Sequence, residues 1–189
     1  ENDIPHYLEQ ELYKESKYKE IIHPGVVTAV ACSSIGGVSI YIECTSFKGT
    51  GKYTFTGSLG SITKESIEIA LSYIKSNTKR FDIDEDFFLN NDFHINFTEG
   101  AINKDGPSAG ISIVTAILSH IKGVIISDKI SLTGEITLNG DILKIGGLKE
   151  KTIACKRQNI EKLFIPKDNL NDIEWLEKDL KNDIEFIPV

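Results

Sequence analysis

Phe93 to Lys122 reads FHINFTEGAINKDGPSAGISIVTAILSHIK, and the change of pattern inside it decides the fold. Phe93, Ile95 and Phe97 alternate with His94, Asn96 and Thr98, which predicts a half-buried strand. Glu99 to Gly106 is a polar loop with glycine at 100 and 106. A helix opens near Pro107, where proline in the first turn forfeits no hydrogen bond, and runs to about Lys122. Most of its positions are Ile, Val, Leu or Ala, and a helix apolar nearly all round is a buried one.

Working outward from this core, residues 1–24 are rich in Glu, Lys and Tyr, end at His23-Pro24, and read as a linker. Residues 25–189 read as one domain. Val26–Ala31 and Val38–Thr45 are β-branched runs around a turn signal at Ser33-Ser34-Ile35-Gly36-Gly37, and Lys52–Thr56 is a third strand. Ile67, Leu71 and Ile74 recur at helical spacing within a helix from Ile62 to about Lys79. Residues 82–92 read as an acidic loop. C-terminal to the buried helix, short strands are expected at Lys129–Thr133, Glu135–Leu138 and Ile142–Ile145. A helix from Gly147 to about Asn159, a strand at Leu163–Ile165, a helix over 168–181 and a last strand at Ile184–Ile187 follow. Strands clustered early and strand–helix alternation later predict a mixed α+β domain.

The chain of 189 residues is 40% hydrophobic and 26% charged, which suits a globular core rather than a disordered or fibrous chain. A net charge of -7 makes nucleic acid an unsuitable partner. The apolar run Ile111 to Ile121 is too short to span a bilayer. Cys32, Cys44 and Cys155 form neither a disulfide framework nor a metal pair, and the four histidines lack metal-ligand spacing. No P-loop motif occurs. The chain starts at Glu1 and has no Met, so a processed or excised part of something longer is expected.

Gly106-Pro107-Ser108-Ala109-Gly110 matches G-x-S-x-G, the nucleophile elbow of α/β-hydrolases. That reading fails on arithmetic. The one histidine after Ser108 is His120, twelve positions along the same helix and about 18 Å away by helical rise. Ser108, Ser112, Thr115 and Ser119 instead form one hydroxyl stripe. Either the stripe simply packs against another element, or Ser108 is a nucleophile at a helix start, where backbone N–H groups stabilise an oxyanion.

A serine without histidine needs a base that is neutral near pH 7, which for lysine requires burial or nearby positive charge. On the 147–158 helix, Leu148, Thr152 and Cys155 share one face. Lys151 falls between Cys155 and Ala154, while Lys149, Glu150, Lys156 and Arg157 lie on the other side. Lys151 is either drawn into the core or snorkels, with a buried stem and a wet head.

Asp105-Gly106-Pro107-Ser108-Ala109-Gly110, Thr133-Gly134-Glu135-Ile136-Thr137-Leu138 and Gly146-Gly147-Leu148-Lys149-Glu150-Lys151 together resemble the proteolytic domain of the Lon family of ATP-dependent proteases. Tyr53 to Gly60 with Lys64-Glu65-Ser66 resembles that domain's earlier half, so the likeness covers about residues 25–189. It implies a Ser–Lys dyad of Ser108 and Lys151, with Thr133 orienting the lysine. It departs at Asn103 and Leu132, where the family more often has proline and methionine.

Glu99, Gly100, Asp105, Gly106 and Pro107 are expected to form the substrate and oxyanion loop. The substrate is expected to be added along the strand ending near Thr98-Glu99-Gly100. The resemblance also implies unfolded polypeptide substrates, misfolded and regulatory proteins among them, and a hexameric ring. An AAA+ ATPase module outside this chain would hold ATP and Mg, with no cofactor or metal in this domain. A mitochondrial matrix setting is a lean drawn from His23-Pro24-Gly25-Val26-Val27 and Lys151-Thr152-Ile153-Ala154, with bacterial cytoplasm as the alternative. Two rivals stand beside the dyad: a serine hydrolase using an upstream histidine such as His94, and a catalytically inactive assembly domain.

Overall fold

The computed structural model describes residues 20–33 and 36–189. Most of the linker expected at 1–24, and Ser34 and Ile35 of the expected turn, lie outside the described residues. Val26–Ser33 (β1) pairs antiparallel with Gly36–Lys48 (β2). β2 pairs antiparallel with Asn91–Phe97 (β4), which pairs parallel with Tyr53–Thr56 (β3). On the other side of β1, Ile130–Leu132 (β5), Lys162–Ile165 (β8) and Glu185–Pro188 (β9) add in parallel. The order is β3-β4-β2-β1-β5-β8-β9, a mixed seven-stranded sheet, and Glu135–Ile136 (β6) with Ile142–Leu143 (β7) forms a separate hairpin. The domain is α+β.

Helices cover both faces because side chains alternate along β1. Val27 and Ala29 belong to a core shared with Ser61–Ser76 (α1) and Gly110–Lys122 (α3), filled by Ile67, Ile74, Phe93, Ile95, Ile113 and Ile117. Val30 belongs to a second core with Leu148–Arg157 (α4), filled by Leu148, Cys155, Leu163 and Ile165. Gly37 lets α4 lie directly on the sheet: a Cβ there would stand 1.8 Å from the Glu150 carbonyl oxygen. No helix among the described residues is long and apolar enough to cross a membrane.

Three expectations need correction. The 82–92 loop holds a short helix, Phe87–Asn90 (α2), which folds Phe88 into the core next to Phe93. The helix opening at Pro107 starts as a 3-10 turn, Pro107–Ala109, and becomes α-helical only at Gly110. The helix expected over 168–181 is broken into a 3-10 turn at Lys167–Asn169 and two short helices, Leu170–Glu174 (α5) and Lys178–Asn182 (α6). Asp and Asn in this stretch compete with helical hydrogen bonding. Asn169, fully buried, uses its amide to accept from the Ile145 N–H at 3.0 Å and donate to the Ile145 carbonyl at 2.9 Å.

Candidate active site

β1 is longer than β5 beside it. β5 pairs with β1 only at Thr28 and Ala29, so the edge of β1 beyond Ala29 is free of β5. That edge forms one wall of a cavity of about 630 Å³. The start of α3 and the loop before it form a second wall, with Ser108, and the Gly146-Gly147 turn leading into α4 forms a third, with Lys151.

Ser108 sits in the middle of the 3-10 turn, half-buried. Its carbonyl accepts from the Gly134 N–H at 2.8 Å and from Thr133 Oγ1 at 3.2 Å. The Ile111 N–H donates back to the Gly134 carbonyl at 3.1 Å. The helix start is thus stitched to the turn between β5 and β6. The other hydroxyls of the stripe have structural work: Ser112 donates to the Leu132 carbonyl, Thr115 to that of Ile111 and Ser119 to that of Val124. The packing reading therefore holds for Ser112 against β5 and for Ser119, which also accepts from the Gly25 N–H, while Thr115 bonds within its own helix and Ser108 faces the cavity.

Lys151 is 2% exposed, so it does not snorkel. Its Nζ donates to Thr133 Oγ1 at 3.0 Å. Burial in the low-dielectric wall pulls its pKa from 10.5 down to about 8, against a smaller upward pull from the negative charge that Cys32 and Cys155 carry when ionised. Ser108 and Lys151 line one cavity without a direct hydrogen bond between them. Thr133 joins them, since one hydroxyl accepts from the amine and donates to the serine's carbonyl.

A second buried lysine went unnoticed in the sequence. Lys104 is 7% exposed and its Nζ donates to three carbonyls: Gly57 at 2.9 Å, Glu99 at 2.6 Å and Ile102 at 2.8 Å. Three acceptors occupy three N–H bonds, which leaves no lone pair to take a proton from serine. Lys151, with one such bond, is the lysine whose nitrogen remains available. Cys32 was also missed as a site residue; it lies at the cavity rim with its thiol donating to the Gly147 carbonyl at 3.4 Å. Burial raises its pKa, partly offset by the Lys151 charge.

The expected loop residues are placed as follows. Glu99 has a left-handed backbone, φ 60, and points its carbonyl at Lys104. The Gly100 carbonyl accepts from Ser58 Oγ. Asp105 lines the cavity, and its Oδ1 accepts from the Ile62 N–H at 2.9 Å, so its carboxylate also caps the first turn of α1. The Gly106 N–H donates to Thr63 Oγ1, and Pro107 lines the cavity beside Ser108.

Two expectations about neighbours are overturned. β4 cannot accept an added substrate strand at its end: β2 takes one edge through Phe97, and β3 takes the other over Phe93–Asn96. Beyond that, Gly57 packs against the Phe97 carbonyl. The edge that β5 leaves open is that of β1 over Val30–Cys32. His94 is not a base for Ser108; it lies on the sheet face opposite Phe93 and Ile95, bonded to Thr56 Oγ1 at 3.0 Å. Among the described residues, no three His, Cys, Asp or Glu side chains are grouped to hold a metal ion.

The architecture is a mixed α+β domain that brings a serine at a helix start and a buried lysine to one cavity. The chain belongs to the family described as the Lon protease (S16) C-terminal proteolytic domain, which it matches over residues 1–189. A protein named Lon protease from Lachnoclostridium phytofermentans is 42% identical over 189 residues, covering 100% of this chain and 23% of that protein. Its namesake from Methanosarcina barkeri is 41% identical, covering 99% and 24%. That from Aster yellows witches'-broom phytoplasma is 43% identical, also covering 99% and 24%. The chain thus spans about a quarter of the length of these curated relatives. They are mostly bacterial and lend no support to the mitochondrial lean.

Proposed function

We propose that this domain hydrolyses peptide bonds through a Ser108–Lys151 dyad. The observation that carries the reading is Lys151: a 2% exposed amine, tied to Thr133, in the same cavity as Ser108. An amine with a pKa of about 8 is neutral often enough near pH 7 to act as a base.

Neutral Lys151 takes the Ser108 proton as Oγ attacks the substrate carbonyl. Backbone N–H groups at the helix start, which lack intrahelical partners, hold the oxyanion. The lysinium returns the proton to the leaving amine, and water then hydrolyses the acyl-enzyme with Lys151 again as base. The edge of β1 that β5 leaves open over Val30–Cys32 supports an extended substrate, added as a strand beside those residues. Closing the remaining gap between Ser108 Oγ and Lys151 Nζ falls to substrate binding.

In the full protein the domain is the proteolytic portion of an ATP-dependent, hexameric protease that degrades misfolded and regulatory proteins. ATP and Mg belong to an AAA+ module outside this chain. The missing direct Ser108–Lys151 bond favours one rival, an inactive assembly domain. Fluorogenic peptide hydrolysis separates the readings. The dyad requires Ser108→Ala and Lys151→Ala to be inert while His94→Ala keeps its rate. An inactive parent chain, within a demonstrated ring, supports the assembly role.

A further inference from the structure

The ten residues before Ser108 contain almost no regular structure, yet they are held at many points. Lys104 is the centre of that hold. Its N–H donates to the Ser58 carbonyl at 3.0 Å, and its own carbonyl accepts from the Gly60 N–H at 2.8 Å. Thr63 Oγ1 lies 3.1 Å from that carbonyl and accepts from the Gly106 N–H at 3.1 Å. The side chain then doubles back, and its ammonium gathers the carbonyls of Gly57, Glu99 and Ile102.

We propose that Lys104 is a positioning residue for the reaction: its ammonium clamps the 99–106 loop onto the 57–63 segment and so sets where Ser108 and its helix-start N–H groups stand. This rests on reading Ser108 as the nucleophile. The physical argument is convergence. Three carbonyl dipoles aim their negative ends at one buried point, and without a cation there they repel one another and go unsatisfied. Glu99 reinforces this, because a non-glycine residue in the left-handed region holds only where its surroundings impose it, and its carbonyl makes the shortest of the three contacts. Gly106 and Pro107 follow directly, so a loop released at 99 and 102 moves the turn that carries Ser108. Lys104 touches no reacting atom in this account.

The test compares variants by activity per folded molecule on a fluorogenic peptide. Lys104→Met keeps the length of the side chain and removes its charge. The expected result is a kcat lowered by about 10- to 100-fold, since misplacement by about 1 Å is enough for the larger figure. The midpoint of the pH–rate profile stays where the parent chain has it, because Lys151 is untouched. Adding n-propylammonium to Lys104→Ala restores part of the rate. Faster amide exchange in 57–63 and 99–106, with β2 unchanged, accompanies the loss. Thr63→Val and Thr63→Ser form the second arm, in case Lys104→Met does not fold: Val lowers kcat and Ser keeps it. A folded Lys104→Met with kcat within twofold of the parent, while Ser108→Ala is inert, overturns the proposal. So does an equal kcat in Thr63→Val and Thr63→Ser if the Lys104 variants fail to fold. An active Ser108→Ala removes the dyad reading instead.

Discussion

Raising the pH is the most direct perturbation of a lysine base. Burial sets Lys151 near pKa 8, far below an ordinary lysine at 10.5 and above an ordinary histidine. If the neutral amine is the reactive form, the rate follows its population. That population is about one in ten at pH 7, about half at pH 8 and about nine in ten at pH 9. Peptide hydrolysis is therefore expected to rise about tenfold between pH 7 and pH 9, then level off. The assay is kcat/KM for a fluorogenic peptide without ionisable groups in this range, with circular dichroism verifying the fold at each pH. A profile flat from pH 7 to 9, or half-maximal near 6.5 as for an unperturbed histidine, refutes the assignment of Lys151 as the base.

Lys151→Met is expected to be inert yet more stable. The folded pKa lies below the unfolded one, so the buried ammonium destabilises the parent chain at and below pH 8. That penalty fades as pH rises toward 10.5. The shift of about 2.5 units corresponds to about 3 kcal/mol at most at pH 7, and urea melts of both chains should converge by pH 10.5. Thr133→Val leaves the Lys151 amine and the Ser108 carbonyl without their shared hydroxyl. A kcat loss of about 10- to 100-fold is expected, recovered by Thr133→Ser. A bulky maleimide should react only at Cys32, since Cys44 and Cys155 are buried, and should block peptide cleavage from the cavity rim. Mass spectrometry with residual activity tests this, and the raised pKa of Cys32 makes the reaction slow at neutral pH.

Much of the architecture was legible in local pattern. The period-two run Phe93–Phe97 is a strand, and the apolar run after Pro107 is a buried helix, because burial of one face is written into residue spacing. The 168–181 stretch was misread for the opposite reason. Its apolar residues fit a helix, but Asn169 has a tertiary partner in the Ile145 backbone that no local pattern reveals. Trp175, which would count toward an apolar face, is 87% exposed.

For the site, the sequence by itself determined the chemical types and their order: a serine at a helix start, and a lysine on the side of α4 that turns inward. Helical periodicity acts over a few residues, so it separates Lys151 from Lys149 without any knowledge of the fold. Only the tertiary structure decided which surfaces meet. That β5 stops short of the end of β1, leaving a free edge, depends on pairing between strands about a hundred residues apart. That Lys104 is buried among three carbonyls depends on a loop with no repeat to read, where a lysine in sequence looks like any solvated one. The physical reason is common to both: the burial and pKa of a charged group are set by whatever packs around it, and those neighbours are distant in the chain.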